Sequence, residues 1–269
     1  MALFFADDDY PSGGRKTGFN RYREVLEQNF VSYILAGLLT LVGFLPFTLG
    51  MIYAVLSTSA LVMLASALVG GLFAGPALYG LYDLIFRTLR DAPGKWWGNY
   101  KKAMKENWRS ALLPGVVLCL FLGVAIFAAL LMFWWAEVFP GWGTIVISLL
   151  SVLLGTMLLT TYWPQLVLFQ QSGFVRFKNC LLFCMKYFWH TLGVAALQVA
   201  FWLLMALLLP WSVLVLPIIG MWFILYLVNF LLYHDLDTAF QLEKTLREQM
   251  PEQAPLYEEE EPEEEDNNV

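Results

Sequence analysis

The sequence predicts an all-α polytopic membrane protein, with six transmembrane helices arranged as three hairpins. Three observations predict it. The 269 residues are 59% apolar and only 14% charged, with a mean hydropathy of +0.62. A water-soluble globule holds about 45–50% apolar and about 25% charged residues, because it must cover itself with polar surface. Six stretches are apolar enough to cross roughly 30 Å of hydrocarbon, which takes about 20 residues of helix. All sixteen lysines and arginines lie outside those stretches, in alternate connections and at the chain ends. Together these exclude a cytosolic enzyme, a nucleic-acid binder, a disordered protein and a disulfide scaffold, and they make the lipid bilayer the main solvent.

Taken in order, residues 1–29 precede the first span. MALFFADDDYPSGG turns acidic after a few apolar residues, the reverse of a cleavable signal peptide, so the first span is expected to target the chain. Helix one covers 30–50 and helix two 54–86. The 33 residues of helix two would reach about 50 Å, so it is expected to kink or break at Gly70, Gly71, Gly75 and Pro76, its last part tilting away. Gly71 and Gly75 also form a GxxxG match, which permits close helix approach as an alternative to a hinge. Helices three and four cover 111–133 and 144–169; helices five and six cover 189–209 and 214–233. Residues 30–240 thus make the transmembrane domain and 241–269 a tail. Its last nineteen residues hold nine acids and no base, punctuated by Pro251, Pro255 and Pro262. Such a run buries too little apolar surface to offset its ordering entropy, so a disordered acidic tail is expected, with a docking strip for a basic partner as the alternative.

Charge sorting orients the chain. Four bases precede helix one, seven lie between helices two and three, three between four and five, and two after six; the other three connections have none. Positive charge is retained on the cytoplasmic side during insertion. The expected protein therefore has both termini cytoplasmic, and Trp134, Trp135, Trp142 and Trp211 mark the outer interface as Trp108 and Trp189 mark the inner one.

Basic aromatic stretches stand ahead of helices one, three and five: FNRYREVLEQNF, GNYKKAMKENWR and KNCLLFCMKYFWH. They suggest a unit of interfacial helix plus hairpin, repeated three times, although shared interface chemistry would give the same impression. In KWWGNYKKAMKENWRSAL, which extends the second stretch, Trp97, Tyr100, Met104 and Trp108 recur at helical spacing, with Lys101, Lys102, Lys105 and Arg109 interleaved where they can snorkel to lipid phosphates. That reads as an amphipathic anchor lying in the inner interface; membrane sensing or partner binding is the sharper alternative.

Leu45-Pro46-Phe47-Thr48-Leu49-Gly50, Gly75-Pro76-Ala77-Leu78-Tyr79-Gly80-Leu81-Tyr82 and Lys105-Glu106-Asn107-Trp108-Arg109-Ser110-Ala111 follow one another in the chain. With Tyr162-Trp163-Pro164, Lys178-Asn179-Cys180-Leu181 and Val228-Asn229-Phe230, they resemble successive signatures of the YesL-like family of bacterial integral membrane proteins, a domain of unknown function. The family usually has Thr-Ile-Gly where this chain has Thr48-Leu49-Gly50. The resemblance spans roughly residues 20 to 240 and leaves out the acidic tail. It implies a helical bacterial inner-membrane protein associated with carbohydrate uptake and utilisation, with no established reaction or catalytic residues.

The residues themselves offer little chemistry. No helix centre holds an ionisable side chain, which argues against a proton relay, because such groups are costly in lipid and are retained for use. Glu137 lies in an outer turn, and Asp83, His190, His234 and Asp235 fall near inner helix ends. Gln198, Asn229, Gln165, Ser57 and Thr58, the last two with Ser59 in helix two, are neutral polar candidates for lining a cavity; interhelical hydrogen bonding is their ordinary use. His234, Asp235 and Asp237 point apart on one helix, so no metal is expected there, and no cofactor is expected anywhere. Cys180 and Cys184 share a helix face, with packing the plain reading and reversible acylation the alternative. No clustered acid, base and nucleophile is visible, and an enzyme is expected only if His190 or His234 meets a carboxylate from another helix.

The expected role is therefore a non-enzymatic accessory of a solute uptake system, carbohydrate by the family resemblance, with a membrane transporter complex as partner. The alternative is a transporter or channel in its own right for a neutral polar solute. A continuous polar cavity touching Gln198 and Asn229 would favour transport; a dry bundle with exposed apolar faces would favour a partner. Topology is directly testable. With the three native cysteines replaced by serine, Lys101→Cys is expected to react with an impermeant maleimide only after cells are opened. Labelling of that position in intact cells overturns the orientation.

Overall fold

The computed structural model describes residues 18–92, 94–133, 140–169 and 171–249. Every regular element among them is helical: α1 (Gly18–Leu56), α2 (Ala60–Leu89), α3 (Trp96–Phe133), α4 (Trp142–Leu168), α5 (Gly173–Lys186), α6 (Phe188–Leu207), α7 (Ser212–Val215), a π-helical turn (Leu216–Gly220), α8 (Met221–Phe240) and α9 (Leu242–Gln249). Six of these are long and apolar enough to span a membrane: α1, α2, α3, α4, α6 and the run Ser212–Phe240. The protein is an all-α, multi-pass membrane protein.

Two boundaries differ from expectation. The amphipathic stretches before helices one and three do not lie apart from their spans. They form the first turns of α1 and α3, which run unbroken for 39 and 38 residues. Only the third stretch is separate, as α5, which ends at Tyr187 (φ -110, ψ 39) before α6 begins. That break holds neither glycine nor proline. The suggested threefold repeat therefore does not extend to helix geometry.

Helix two also begins later and does not break. Residues 54–56 close α1; Ser57 and Thr58 form the turn, Thr58 at φ 50, and Ser59 caps α2 by accepting from the Val62 N–H at 3.4 Å. Downstream, α2 is continuous through Gly70, Gly71, Gly75 and Pro76. The glycines serve contact instead of a hinge. A Cβ on Gly70 would strike the Phe47 backbone of α1, while one on Gly71 or Gly75 would strike Val116 or Ala111 of α3. On the other side of that seam, a Cβ on Gly115 would lie 2.5 Å from the Gly75 Cα. Lipid is as apolar as leucine, so helices associate in it through close packing rather than through exclusion from water, and small residues give the closest approach.

The last span closes onto the first. Trp222 of α8 seats over Gly37, where a Cβ would come within 2.7 Å of its ring, and stacks on Tyr33 with centroids 5.6 Å apart. The Tyr226 hydroxyl donates to the Tyr22 carbonyl at 2.8 Å. Pro217 lies in the π turn, where it cannot donate to a helical ladder; the Trp222 indole N–H donates to the Ile218 carbonyl at 2.6 Å.

Helices α4, α5 and α6 pack into a second group with a small core of their own, formed by Met157, Cys180, Cys184 and Ala195. The tail expected to be disordered from 241 begins instead as α9, whose Leu242 is fully buried; residues 250–269 lie outside the described residues.

The seam makes a sharp prediction. Gly75→Ala drives a methyl into backbone that cannot step aside, and is expected to lower stability in detergent by about 1–3 kcal/mol. Gly143→Ala, where a Cβ meets nothing within 4 Å, is the matched control. Equal melting temperatures for the two variants would show that the seam is not under close contact.

Candidate functional site

The neutral polar residues singled out from the sequence do not converge. Ser57 and Thr58 are exposed in the α1–α2 turn rather than inside helix two, and Ser57 Oγ donates to the Tyr53 carbonyl at 2.7 Å, as a serine at a helix end satisfies a free carbonyl. Gln198 of α6 accepts from Thr160 Oγ1 of α4 at 2.6 Å, an interhelical fastener. Gln165 and Asn229 are fully buried on α4 and α8.

Those last two carry the feature that sequence could not show. Asn229 donates through Nδ2 to the Leu225 carbonyl at 2.7 Å, but its Oδ1 has no partner, nor have Gln165 Oε1 and Nε2 or the indole Nε1 of Trp163. Trp163, itself buried, stacks on Tyr82 of α2 with centroids 5.7 Å apart, and the Tyr82 hydroxyl lies beside the Asn229 amide. Two donors and two acceptors, all neutral, thus stand unpaired on α4 and α8. Each such group costs about 1–3 kcal/mol when buried alone. Their chemistry matches water or the hydroxyls of a neutral guest. Trp163 escaped the sequence reading because a tryptophan near a helix end normally signals an interface.

A 320 Å³ groove between α1 and α3 is lined by Phe47, Thr48, Met51, Ile52, Val55, Leu56 and Ile126, almost wholly apolar and suited to acyl chain.

Charged groups gather at the basic end, many of them buried. Arg21 pairs with Asp91, reaches Glu24 at 3.4 Å and donates to the Leu89 carbonyl at 3.3 Å, pinning the start of α1 to the end of α2. Asp83 pairs with Arg87 at 2.8 Å. Arg90 is 1% exposed with its Nε unpartnered, and burial pulls its guanidinium down to about 10, opposed by the nearby Tyr233, Asp83 and Glu243. The Tyr233 hydroxyl donates to Glu243 at 2.6 Å, and Asp237 accepts from the Glu243 N–H at 3.0 Å. Charge count placed these arginines outside the spans; their burial depends on distant groups, Asp91 standing 70 residues from Arg21 and Tyr233 and Glu243 farther still from Arg90.

His190 of α6 pairs with Asp235 of α8, so the contact set above as the condition for an enzyme is present. Among the described residues no hydroxyl or thiol is hydrogen-bonded to His190, and the dyad lacks a nucleophile there. Its evident effect is to tie α6 to α8. His234 is exposed, and no three His, Cys, Asp or Glu side chains converge among the described residues.

The anchor stretch is split between two faces. Trp97, Lys101, Lys105, Trp108 and Arg109 are exposed, with the Arg109 guanidinium 5.2 Å from the Trp108 ring centroid. Tyr100 instead is buried against Gly80 and donates to the Ala77 carbonyl at 3.2 Å, so it packs the bundle rather than anchoring it. Trp142, Trp189 and Trp211 are exposed; Trp134, Trp135 and Glu137 lie outside the described residues.

Cys180 and Cys184 are both buried, which removes the free access that acylation requires. The contact between the two thiols lowers Cys184 and raises Cys180.

No protein-family model matches the chain, and neither does any curated protein or solved structure. The Thr160–Gln198 bond yields a test. Thr160→Val and Gln198→Leu are expected to show a coupling of about 0.6–1.7 kcal/mol in a double-mutant cycle of unfolding in detergent. Additive effects would mean that the two side chains do not bond.

Proposed function

We propose that the chain is a non-enzymatic inner-membrane protein, with both termini cytoplasmic, that serves as an accessory subunit of a solute uptake system. One observation carries the reading. The most apolar window of α4 is only 11% buried within the chain, against 50% for α2. Residues such as Val146, Ile147, Leu150 and Leu154 present a continuous apolar face, which lipid or a partner's helix must cover. The bonding of Gln198 to Thr160 supports the same reading, since it occupies a group that a solute path would use. Carbohydrate as the solute, and the bacterial inner membrane as the site, rest on the resemblance to the YesL-like family. The sorting of bases to one end supports the orientation.

A second reading, transport of a neutral polar solute by the chain itself, is favoured by the unpaired atoms of Trp163, Gln165 and Asn229. Mild-detergent affinity purification from the native membrane separates the two. The accessory reading expects a transporter component to co-purify in fixed proportion. Reproducible recovery of the chain alone, with polyol uptake by proteoliposomes containing only the chain, overturns it in favour of the second reading.

A further inference from the structure

Three of the four buried residues in the small core of α4, α5 and α6 carry sulfur: Met157, Cys180 and Cys184. The two cysteines stand four apart on α5, one helical turn, so their side chains share a face. Both converge on one hydroxyl, Thr161 Oγ1 of α4, with Cys180 Sγ at 2.8 Å and Cys184 Sγ at 3.2 Å. The Thr161 hydroxyl is also 3.0 Å from the Met157 carbonyl, which places Met157 one turn away along α4. Ordinary apolar packing needs no such concentration of sulfur. The third cysteine, Cys119, is buried separately on α3.

We infer that Cys180 and Cys184 form a two-sulfur binding site for one soft monovalent cation with a filled d shell, of the copper(I) class. Two thiolate sulfurs are donors that select such an ion over zinc, which asks for four ligands, and over magnesium or calcium, which ask for oxygen. On binding, two metal–sulfur bonds replace two thiol S–H bonds, and both protons leave to solvent. Entry does not require a span to open. Helix α5 has only 14 residues and is bounded by non-helical residues 171–172 and Tyr187, so it can move as a unit at the basic end of the bundle.

The test uses the full chain, purified and reduced in detergent without exogenous thiols. Copper(I), held reduced by ascorbate, is titrated against a chromophoric copper(I) chelator while the ultraviolet thiolate-to-copper(I) absorption is followed. One equivalent of copper is expected to bind, with that absorption rising in step. Cys180→Ala with Cys184→Ala is expected to abolish both, while Cys119→Ala keeps them. The single variants Cys180→Ala and Cys184→Ala, each expected to lose the absorption, decide the matter even if the double variant fails to fold. Absorption that survives in both single variants, or that is lost in Cys119→Ala, overturns the site.

Discussion

Backbone contact between α2 and α3 at Gly71, Gly75 and Gly115 is the constraint around which the bundle is built. Because there is little hydrophobic gain between helices in lipid, approach distance decides which pairs hold. The α2–α3 seam is closed at a separation that a single methyl would abolish. With Gly70 against Phe47 on the neighbouring face, α2 becomes the central helix, clasped by α1 and α3 at once. The burial of α2 follows, and so does the placement of everything it carries: Tyr82 against Trp163, Asp83 beside Arg87, and Arg90 in the interior of the basic end.

Polar groups in this protein obey two regimes, set by distance from water. At the basic end, charges sink because partners meet them: Arg21 finds Asp91 and the last carbonyls of α2, and Glu243 finds Tyr233. Breaking a buried pair leaves a charge uncompensated, typically a loss of about 3–5 kcal/mol, so these contacts lock α1, α2 and the α8–α9 corner together. Further in, polar side chains are neutral. Some, like Thr160 and Gln198, fasten helices; others, like Gln165 and Asn229, stand with valences unfilled.

The second half of the chain is built more loosely. Helices α4, α5 and α6 share a small sulfur-rich core and touch the first group chiefly through α2 and α8. The contact between His190 and Asp235 helps to hold this half in place. Loose packing and a broad apolar face belong together: surface not used to close the bundle remains for lipid or for another chain.

By itself the sequence determined the class, the six spans and the sorting of bases to one end, because hydropathy and charge are properties of a segment and need no knowledge of its neighbours. The four glycine and proline positions of helix two were visible too, but their use was not: a glycine hinges or packs according to what stands opposite it. The same limit explains Tyr100, which has the spacing of an anchor yet turns inward to meet Gly80, and Ser57 and Thr58, which left helix two once Ser59 capped it. Tertiary structure alone decided the burial of Arg21 and Arg90, the meeting of His190 with Asp235, the stacking of Trp163 on Tyr82, and the convergence of sulfur on Thr161. Each depends on groups from different helices arriving at one point, and in a chain whose helices attract one another so weakly in lipid, that arrival is set by shape.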